Sequence, residues 1–137
     1  MSDYRALAEF RHQLRRFLHF SEQAARRAGL EPQQHQLMLA MRGLPPGTAA
    51  TVGVLAERLQ IRHHSAVELI DRTAARGLVR RGPRAGDRRQ VVVSLTRGGE
   101  ALLSRLSLAH RTELRTTGPA LLGPLGALVR GRSRRAR

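Results

Sequence analysis

The hydrophobic and polar positions in the first part of the chain follow the period of an α-helix. In residues 4–28, the apolar side chains from Leu7 to Phe17 recur at steps of three or four positions, which places them on one face of a helix. Gly29 comes next, and glycine is common just past a helix end. The pattern therefore predicts one long helix that carries all four aromatic residues of the protein.

The helical period continues in three shorter segments. Pro32 suits the first turn of a helix, and Thr51 suits the N-cap position that precedes one. A loop containing proline and glycine separates the first two of these segments. The predicted helices cover residues 32–42, 52–59 and 63–76.

From Leu78 onward the apolar positions alternate instead, which is the period of a β-strand. Residues 78–81 and 90–95 are predicted as two short strands, the second of them rich in valine. Residues 82–89 between them contain glycine, proline and arginine and are predicted as a long turn. The result is a hairpin with a positively charged tip.

The last part of the chain returns to a helical period. Thr96 is a suitable N-cap for a fifth helix that extends to about residue 117. The Gly118–Pro119 pair predicts a break there. A sixth, weaker helix is predicted over residues 121–129, and residues 131–137 form a basic tail.

Charge is the most informative feature of the composition. The chain has 137 residues, of which 25 are basic and 10 acidic, for a net charge of +15. All of the basic residues are arginine. An excess this large on a small protein predicts a polyanionic partner, and nucleic acid is the most common one inside a cell.

Other classes of protein are disfavoured by the composition. Hydrophobic residues make up 41% of the chain, which is enough for one globular domain. The absence of cysteine excludes disulfides, cysteine-zinc sites and thiol nucleophiles. No apolar run is long enough to span a membrane and no signal sequence is recognisable, so a cytoplasmic protein is expected.

Two helices joined by a short connector and followed by a basic hairpin form the most informative arrangement. The connector Gln60–Arg62 has the length found in helix-turn-helix motifs. In that motif the N-terminal residues of the second helix contact bases in the major groove. The alternative is that these arginines only solvate the surface. The candidate DNA-binding residues are Arg62, His63, His64, Ser65, Glu68, Arg72, Arg84, Asp87, Arg88 and Arg89.

Six segments occur in a characteristic order: Val54–Leu59, Leu69–Arg72, Arg76–Val79, Asp87–Arg89, Val93–Thr96 and finally Gly99. Their order and spacing resemble the MarR family of bacterial transcriptional regulators, over about residues 4–117. The most specific part is the Asp-x-Arg of the hairpin, followed by a valine-rich strand that ends in Leu-Thr.

The resemblance implies a mainly α fold with a small β-hairpin wing, which is the winged helix-turn-helix. Residues 1–130 would form a single domain. Within it, residues 31–96 would be the DNA-binding lobe, and residues 4–30 and 97–130 would supply helices for a homodimer. The residues assigned to dimerisation are Leu7, Phe10, Leu14, Phe17, Leu121, Leu125 and Leu128.

The resemblance also implies roles for the wing. Arg89 would enter the minor groove, where a narrow groove concentrates negative potential that attracts arginine. The Asp87 carboxylate would orient that guanidinium through paired hydrogen bonds. The alternative is that Asp87 is only a turn residue.

A ligand is the third implication of the resemblance. Members of the family release DNA when a small molecule, often aromatic or anionic, binds between the dimerisation helices and the DNA-binding lobe. The alternative is that the corresponding residues only pack or solvate the first helix. The candidate effector-pocket residues are His12, Arg15, Arg16, His19, Phe20 and His35.

This sequence departs from the family pattern at three places. Arg62 stands where the recognition helix has a Ser or Thr N-cap, and His63–Ser65 replaces small polar residues. The last helix is interrupted by glycine and proline. The operator sequence, the effector and the contribution of the last helix to the dimer therefore do not follow from the resemblance.

Catalytic and metal-binding motifs are not found in the sequence. There is no phosphate loop, nucleophile elbow or metal-helix motif, so neither an enzyme nor a cofactor is expected. His63 and His64 are adjacent and diverge on a helix, which disfavours a shared metal. The expected function is a repressor that binds a pseudo-palindromic operator. The alternatives are a non-specific architectural DNA-binding protein and a winged-helix module that binds proteins.

Overall fold

The computed structural model describes residues 2–135, with side chains for residues 2–131. The chain contains five helices and one hairpin within that range. In chain order they are α1 (Asp3–Arg27), α2 (Pro32–Arg42), α3 (Val52–Leu59), α4 (His63–Ala75), β1 (Val79–Arg84), β2 (Asp87–Leu95) and α5 (Arg97–Arg135).

The chain divides into two compact units. The winged-helix unit contains Ala25–Leu106, and the helical unit contains Met1–Ala24 together with Ser107–Arg137. The two long helices therefore take part in both units.

The core of the winged-helix unit lies where α2, α3 and α4 pack together. Leu37, Met38, Leu55, Leu69 and Ile70 are almost completely shielded from solvent. Removing side chains of this size from water stabilises a fold by roughly 1.5–3 kcal/mol each before the entropy of ordering is counted. These residues recur with the helical period seen in the sequence. Each of the three short helices therefore presents one apolar face, and the three faces together form the core.

Local sequence signals set the helix ends of this unit. The Thr51 hydroxyl accepts a hydrogen bond from the Val54 N–H at 3.2 Å, which caps α3 as predicted. Glu31 and Gln34 form a capping box at the start of α2. Gly77 has a φ of +73° just after α4, a conformation that glycine adopts without strain.

The hairpin is longer and its turn tighter than the sequence predicts. The strands pair antiparallel from Val79 opposite Leu95 to Pro83 opposite Val91, and Arg84 then pairs with Asp87 after an irregularity. Residues 82–84 and 87–89, predicted as turn, are thus strand. A glycine at position 86 with a φ of +86° allows the chain to reverse within two residues.

The predicted division of the C-terminal region into two helices is wrong. Residues 97–135 form one helix with Pro119 and Pro124 inside it, so residues 131–135 of the predicted tail are also helical. Each proline removes one N–H donor and crowds the preceding turn, so α5 continues through these positions at a cost in stability. The last two residues of the predicted tail, 136 and 137, lie outside the described residues.

The turns of α5 that precede Pro119 have additional hydrogen bonds from side chains. The Thr112 hydroxyl donates to the Leu108 carbonyl at 3.0 Å, and the Thr117 hydroxyl donates to the Glu113 carbonyl at 2.9 Å. Hydroxyls that bond back by one turn are compatible with a continuous but slightly bent helix.

The helical unit contains a polar contact among aromatic rings. His110 Nε2 lies 2.8 Å from the Ser21 hydroxyl, which is buried. The rings of Phe17 and Phe20 approach the His110 ring edge-on, at centroid distances of 6.0 and 5.5 Å. This cluster joins α1 to α5 within the unit.

Candidate nucleic-acid interface

The connector between α3 and α4 reverses the chain through one left-handed residue. Gln60 has a φ of +55°, and its N–H bonds back to the carbonyls of Ala56 and Glu57. The Ile61 N–H also donates to the Ala56 carbonyl, at 3.0 Å. The predicted length of the connector is correct. The sequence does not single out Gln60, because a left-handed conformation is uncommon for glutamine.

The first turn of α4 presents polar groups to solvent. Arg62 is the N-cap and makes no side-chain capping bond. Arg62, His63, His64 and Glu68 are exposed and Ser65 is half-buried. The first N–H groups of a helix have no partner within it and carry partial positive charge. With no side-chain cap, they are available to an anion such as a DNA phosphate.

The opposite side of α4 holds it in place. Ala66, Leu69 and Ile70 are buried, and the Thr73 hydroxyl donates to the Leu69 carbonyl at 2.7 Å. Because one face of the helix packs in the core, the start of α4 has a fixed position within the winged-helix unit.

The wing tip carries exposed arginines. Arg84, Arg88 and Arg89 are all exposed, and the Arg84 guanidinium donates to Gln90 Oε1 at 2.9 Å. The Asp87 carboxylate accepts the backbone N–H of Arg89 at 3.0 Å. In this structure Asp87 therefore acts as a turn residue, as in the alternative interpretation. That Asp87 also orients the guanidinium of Arg89 remains a prediction.

Several other arginines make contacts within the protein. Arg72 Nε lies 3.3 Å from a Glu31 carboxylate oxygen, so this predicted DNA-contact residue ties α4 to the start of α2. Arg76 donates to the Gly29 carbonyl and to the Gln34 side chain. Sequence reasoning did not find these partners because they lie about forty positions away in the chain.

The predicted effector-pocket residues are distributed over different environments. His12, Arg15, Arg16 and His19 are exposed on α1. Phe20 is half-buried against His110, whereas His35 is buried inside the winged-helix unit. A common pocket for these residues remains a prediction.

Two cavities within the winged-helix unit contain none of those six residues. One has a volume of about 270 Å³ and is lined by Gln33, Gln36, Arg58, Leu59, Ile61 and Leu69. The other, of about 310 Å³, lies between the loop at residues 47–50 and the wing residues Arg84, Val92 and Val93.

Large apolar side chains are exposed mainly in the helical unit. Leu7 is 51% exposed and Leu125 39%, and Phe10, Leu14, Phe17, Leu121 and Leu128 are half-buried. Tyr4, Leu122 and Val129 are more exposed still, at 89%, 69% and 71%. These three are missing from the predicted dimerisation residues, because they do not lie on the apolar helix faces from which those residues are chosen.

The described residues offer neither a metal site nor a membrane span. No group of three or more His, Asp or Glu side chains in that part of the chain could hold a metal ion. No described helix is both long enough and apolar enough to cross a membrane.

The fold and the exposed basic groups define a winged helix-turn-helix protein. Residues 28–90 match the sequence model of the MarR family. No curated protein matches this sequence.

Solved structures extend the comparison to nearly the whole chain. A MarR family transcription regulator superposes with a TM-score of 0.72 at 20% identity, covering 97% of this chain and 85% of its own. A mutant of Staphylococcus aureus MepR bound to an oligodeoxyribonucleotide gives 0.66 at 16% identity, covering 93% and 91%. Bordetella bronchiseptica BpsR, whose DNA binding is regulated by 6-hydroxynicotinic acid, gives 0.64 at 24% identity, covering 90% and 89%. The resemblance to the MarR family is confirmed, by sequence over residues 28–90 and by fold over most of the chain.

Proposed function

We propose that this protein is a sequence-specific DNA-binding transcriptional regulator that acts as a homodimer on a pseudo-palindromic operator, as a repressor, in a bacterial cytoplasm. The observation that carries the proposal is the placement of two exposed basic elements in one compact unit. These are the uncapped start of α4 and the tip of the wing. In winged-helix proteins such elements contact the major groove and the adjacent minor groove.

The contacts within the protein narrow the set of arginines available to DNA. Nine arginines lie between Arg58 and Arg89. Arg72, Arg76 and Arg81 are engaged with other parts of the chain. Of the remaining six, Arg84 donates to Gln90 and Arg58 lines a cavity of the unit. The other four are exposed and have no side-chain partner among the described contacts: Arg62, Arg80, Arg88 and Arg89. These four are the arginines we assign to the phosphate backbone and grooves.

The solved relatives support the same function. The MepR structure named above contains an oligodeoxyribonucleotide. The relative that superposes over 97% of this chain is a transcription regulator of the MarR family. We therefore assign regulation and no catalytic activity to this chain.

The exposed apolar side chains support the homodimer. Among the described residues, eight of the ten large hydrophobic side chains that are exposed in the single chain lie in the helical unit. A surface with this many exposed apolar groups marks an interaction site. A second copy of the chain would cover them, which also compensates for the small core of so short a chain.

A small aromatic or anionic effector is the regulatory part of the proposal. BpsR responds to 6-hydroxynicotinic acid, and Rhodococcus jostii CouR was solved with p-coumaroyl-CoA. In this chain, the cavity lined by Arg58, Leu59 and Ile61 offers a guanidinium beside apolar side chains. That combination suits a flat molecule with a carboxylate.

Selection of genomic fragments by the purified protein tests the proposed function. The protein is incubated with sheared genomic DNA at roughly 150 mM salt, and the best fragment is then titrated against random duplex. We expect enrichment of a two-fold symmetric site that binds roughly 10³-fold or more tightly than random DNA. Equal recovery of all fragments would instead indicate an architectural protein. Recovery of none, from a folded protein, would favour a protein-binding module.

A further inference from the structure

A row of basic side chains runs along α1 on the side away from its apolar face. His12, Arg15, Arg16 and His19 follow Arg5 by 7, 10, 11 and 14 positions, so at 100° per residue the five lie within an arc of about 100°. All five are exposed. We call this set the α1 basic stripe, and it spans about 21 Å at 1.5 Å per residue.

The stripe differs from an ordinary solvated helix face because its charges are not balanced locally. None of its three arginines forms an ion pair among the described residues. The nearby carboxylate of Glu9 accepts a hydrogen bond from Gln13 at 2.8 Å and is half-buried. Glu22 lies beyond the C-terminal end of the stripe. Surface helices in soluble proteins usually intersperse both signs of charge, so this row is a strong local source of positive potential.

A second copy of the chain that packs on the apolar half of α1 would leave most of the stripe uncovered. The exposed apolar side chains of α1 include Leu7 and Leu18, and its buried ones include Ala6 and Ser21. At 100° per residue all four project from the opposite half of the helix. The exposed Tyr4 lies at the N-terminal end of α1 and at the edge of the stripe. A dimer that buries the apolar half therefore leaves most of the basic stripe open to solvent.

We propose that the α1 basic stripe binds the phosphate backbone of a second DNA duplex, so that one dimer holds two DNA segments together. The inference rests on the proposed function, since the winged-helix unit would hold the first duplex. Arginine pairs with phosphate through two parallel hydrogen bonds, and the stripe itself contains no acidic side chain that would repel a strand. Its length corresponds to roughly six base-pair steps along a duplex.

A membrane surface is the competing anionic partner, and the structure disfavours it. Interfacial helices insert their apolar face between lipids. Here that half of α1 contains Ala6 and Ser21, which are already buried within the protein. Its exposed members, Leu7 and Leu18, would be covered by the second copy of the chain in the proposed dimer. A narrow row of arginines fits a strand of phosphates better than a broad lipid surface.

The stripe is tested by asking whether the protein bridges two duplexes. A duplex with the selected operator is fixed to beads, and a free labelled random duplex is added with the full-length protein. The test variant carries Arg5→Gln, Arg15→Gln and Arg16→Gln. The matched control carries Arg105→Gln, Arg111→Gln and Arg115→Gln, which remove the same charge from exposed positions on α5.

We expect the parent and the control to retain the labelled duplex and the stripe variant to retain it about tenfold less, because three phosphate contacts are lost. Operator affinity in direct titration should change by less than about twofold for the stripe variant at physiological salt. Equal capture by parent and stripe variant would overturn the proposal, and so would an equal loss in the control.

Two further results separate this proposal from its alternatives. If the parent binds the operator duplex but captures no second one, the stripe proposal fails while the proposed function stands. If the parent binds no duplex at all, the proposed function fails as well. Vesicles containing about 30% phosphatidylserine provide the third arm. The proposal would be overturned if the parent binds vesicles but does not bridge DNA, and the stripe variant loses the vesicle binding. That result would assign the stripe to a membrane.

Discussion

Arg81 on β1 and Asp71 on α4 form an ion pair that joins the wing to the helix after the Gln60–Arg62 connector. Arg81 Nη2 lies 2.9 Å from the Asp71 carboxylate and also donates to the Val67 carbonyl at 3.3 Å. The two side chains are 37% and 60% exposed, so solvent screens the pair and it contributes at most about 1 kcal/mol to stability. Its main effect is on position and charge, because it aligns β1 with α4 and neutralises one arginine beside the proposed DNA surface.

Asp71→Asn should therefore change DNA binding more than stability. We expect the free energy of unfolding to change by less than about 1 kcal/mol. Affinity for random duplex should increase and the slope of log affinity against log salt should steepen by about one, because Arg81 becomes free to contact a phosphate. Duplex titrations at several salt concentrations measure this. Glu113→Gln, on α5, removes the same charge elsewhere and should leave the slope as it is. An unchanged slope in Asp71→Asn would show that Arg81 does not reach DNA.

Arg89→Ala should weaken operator binding. The Arg89 side chain is exposed at the wing tip, and its backbone N–H is held by Asp87. If the guanidinium enters the minor groove, its removal should cost roughly 1–3 kcal/mol of binding free energy. Titration of the selected operator gives this number, with Arg97→Ala at the start of α5 as the control for charge. Equal affinities for Arg89→Ala and the parent at physiological salt would remove Arg89 from the interface.

Gly99→Ala should destabilise the fold, whereas Gly98→Ala should not. A Cβ at Gly99 would overlap the Leu78 carbonyl oxygen, a backbone atom that cannot move alone. At Gly98 the nearest atom would be 3.8 Å away, in ordinary contact. Overpacking of this kind costs roughly 1–3 kcal/mol, while alanine in an open helical position gains up to about 1 kcal/mol over glycine. Urea unfolding of the two variants checks the contrast, and similar stabilities would contradict the close approach of α5 to Leu78.

Pro119→Ala distinguishes one continuous α5 from two separate helices. Inside a helix, proline lacks a donor and clashes with the preceding turn, so its replacement by alanine at this exposed site should raise stability by roughly 1–3 kcal/mol. At the first position of a separate helix, proline is favourable and the same replacement would give no gain. Thermal unfolding followed by circular dichroism separates the two results. Pro124→Ala should gain less, because Pro124 is buried and its ring contacts are lost.

Leu122→Asp should dissociate the dimer without unfolding the chain. Leu122 is 69% exposed in the single chain, so a carboxylate there does not disturb the chain's own core. Across an apolar interface, an unpaired charge costs several kcal/mol. Sedimentation velocity at micromolar concentration should show a monomer with a helical circular dichroism spectrum. Leu39→Asp, at a 44% exposed site in the winged-helix unit, serves as the control. A stable Leu122→Asp dimer would place the interface elsewhere on the helical unit.

The local elements of the fold are predictable because their signals are local. The helical period from Leu7 onward, the Thr51 cap and the glycine at position 77 are each read within a few residues of the element they define, and the structure confirms the helices they predict. Much of the candidate site follows for the same reason. The start of α4 and the wing tip are exposed as expected, because the polar side of a helix or strand faces solvent and this side can be read from the sequence.

Two features could be determined only from the tertiary structure. One is the partner of a charged side chain that lies far away in the sequence, and the other is the outcome where local preferences disagree. Glu31 engages Arg72 and Asp71 engages Arg81, so two of the arginines in the basic region act inside the protein. The Gly118–Pro119 pair predicts a break from local propensity, yet α5 continues through it. A short stretch of sequence limits which φ, ψ values are accessible to a residue. The packing of segments far apart in the chain decides which partner a charged side chain contacts. It also decides whether a residue of low helix propensity is kept in a helix.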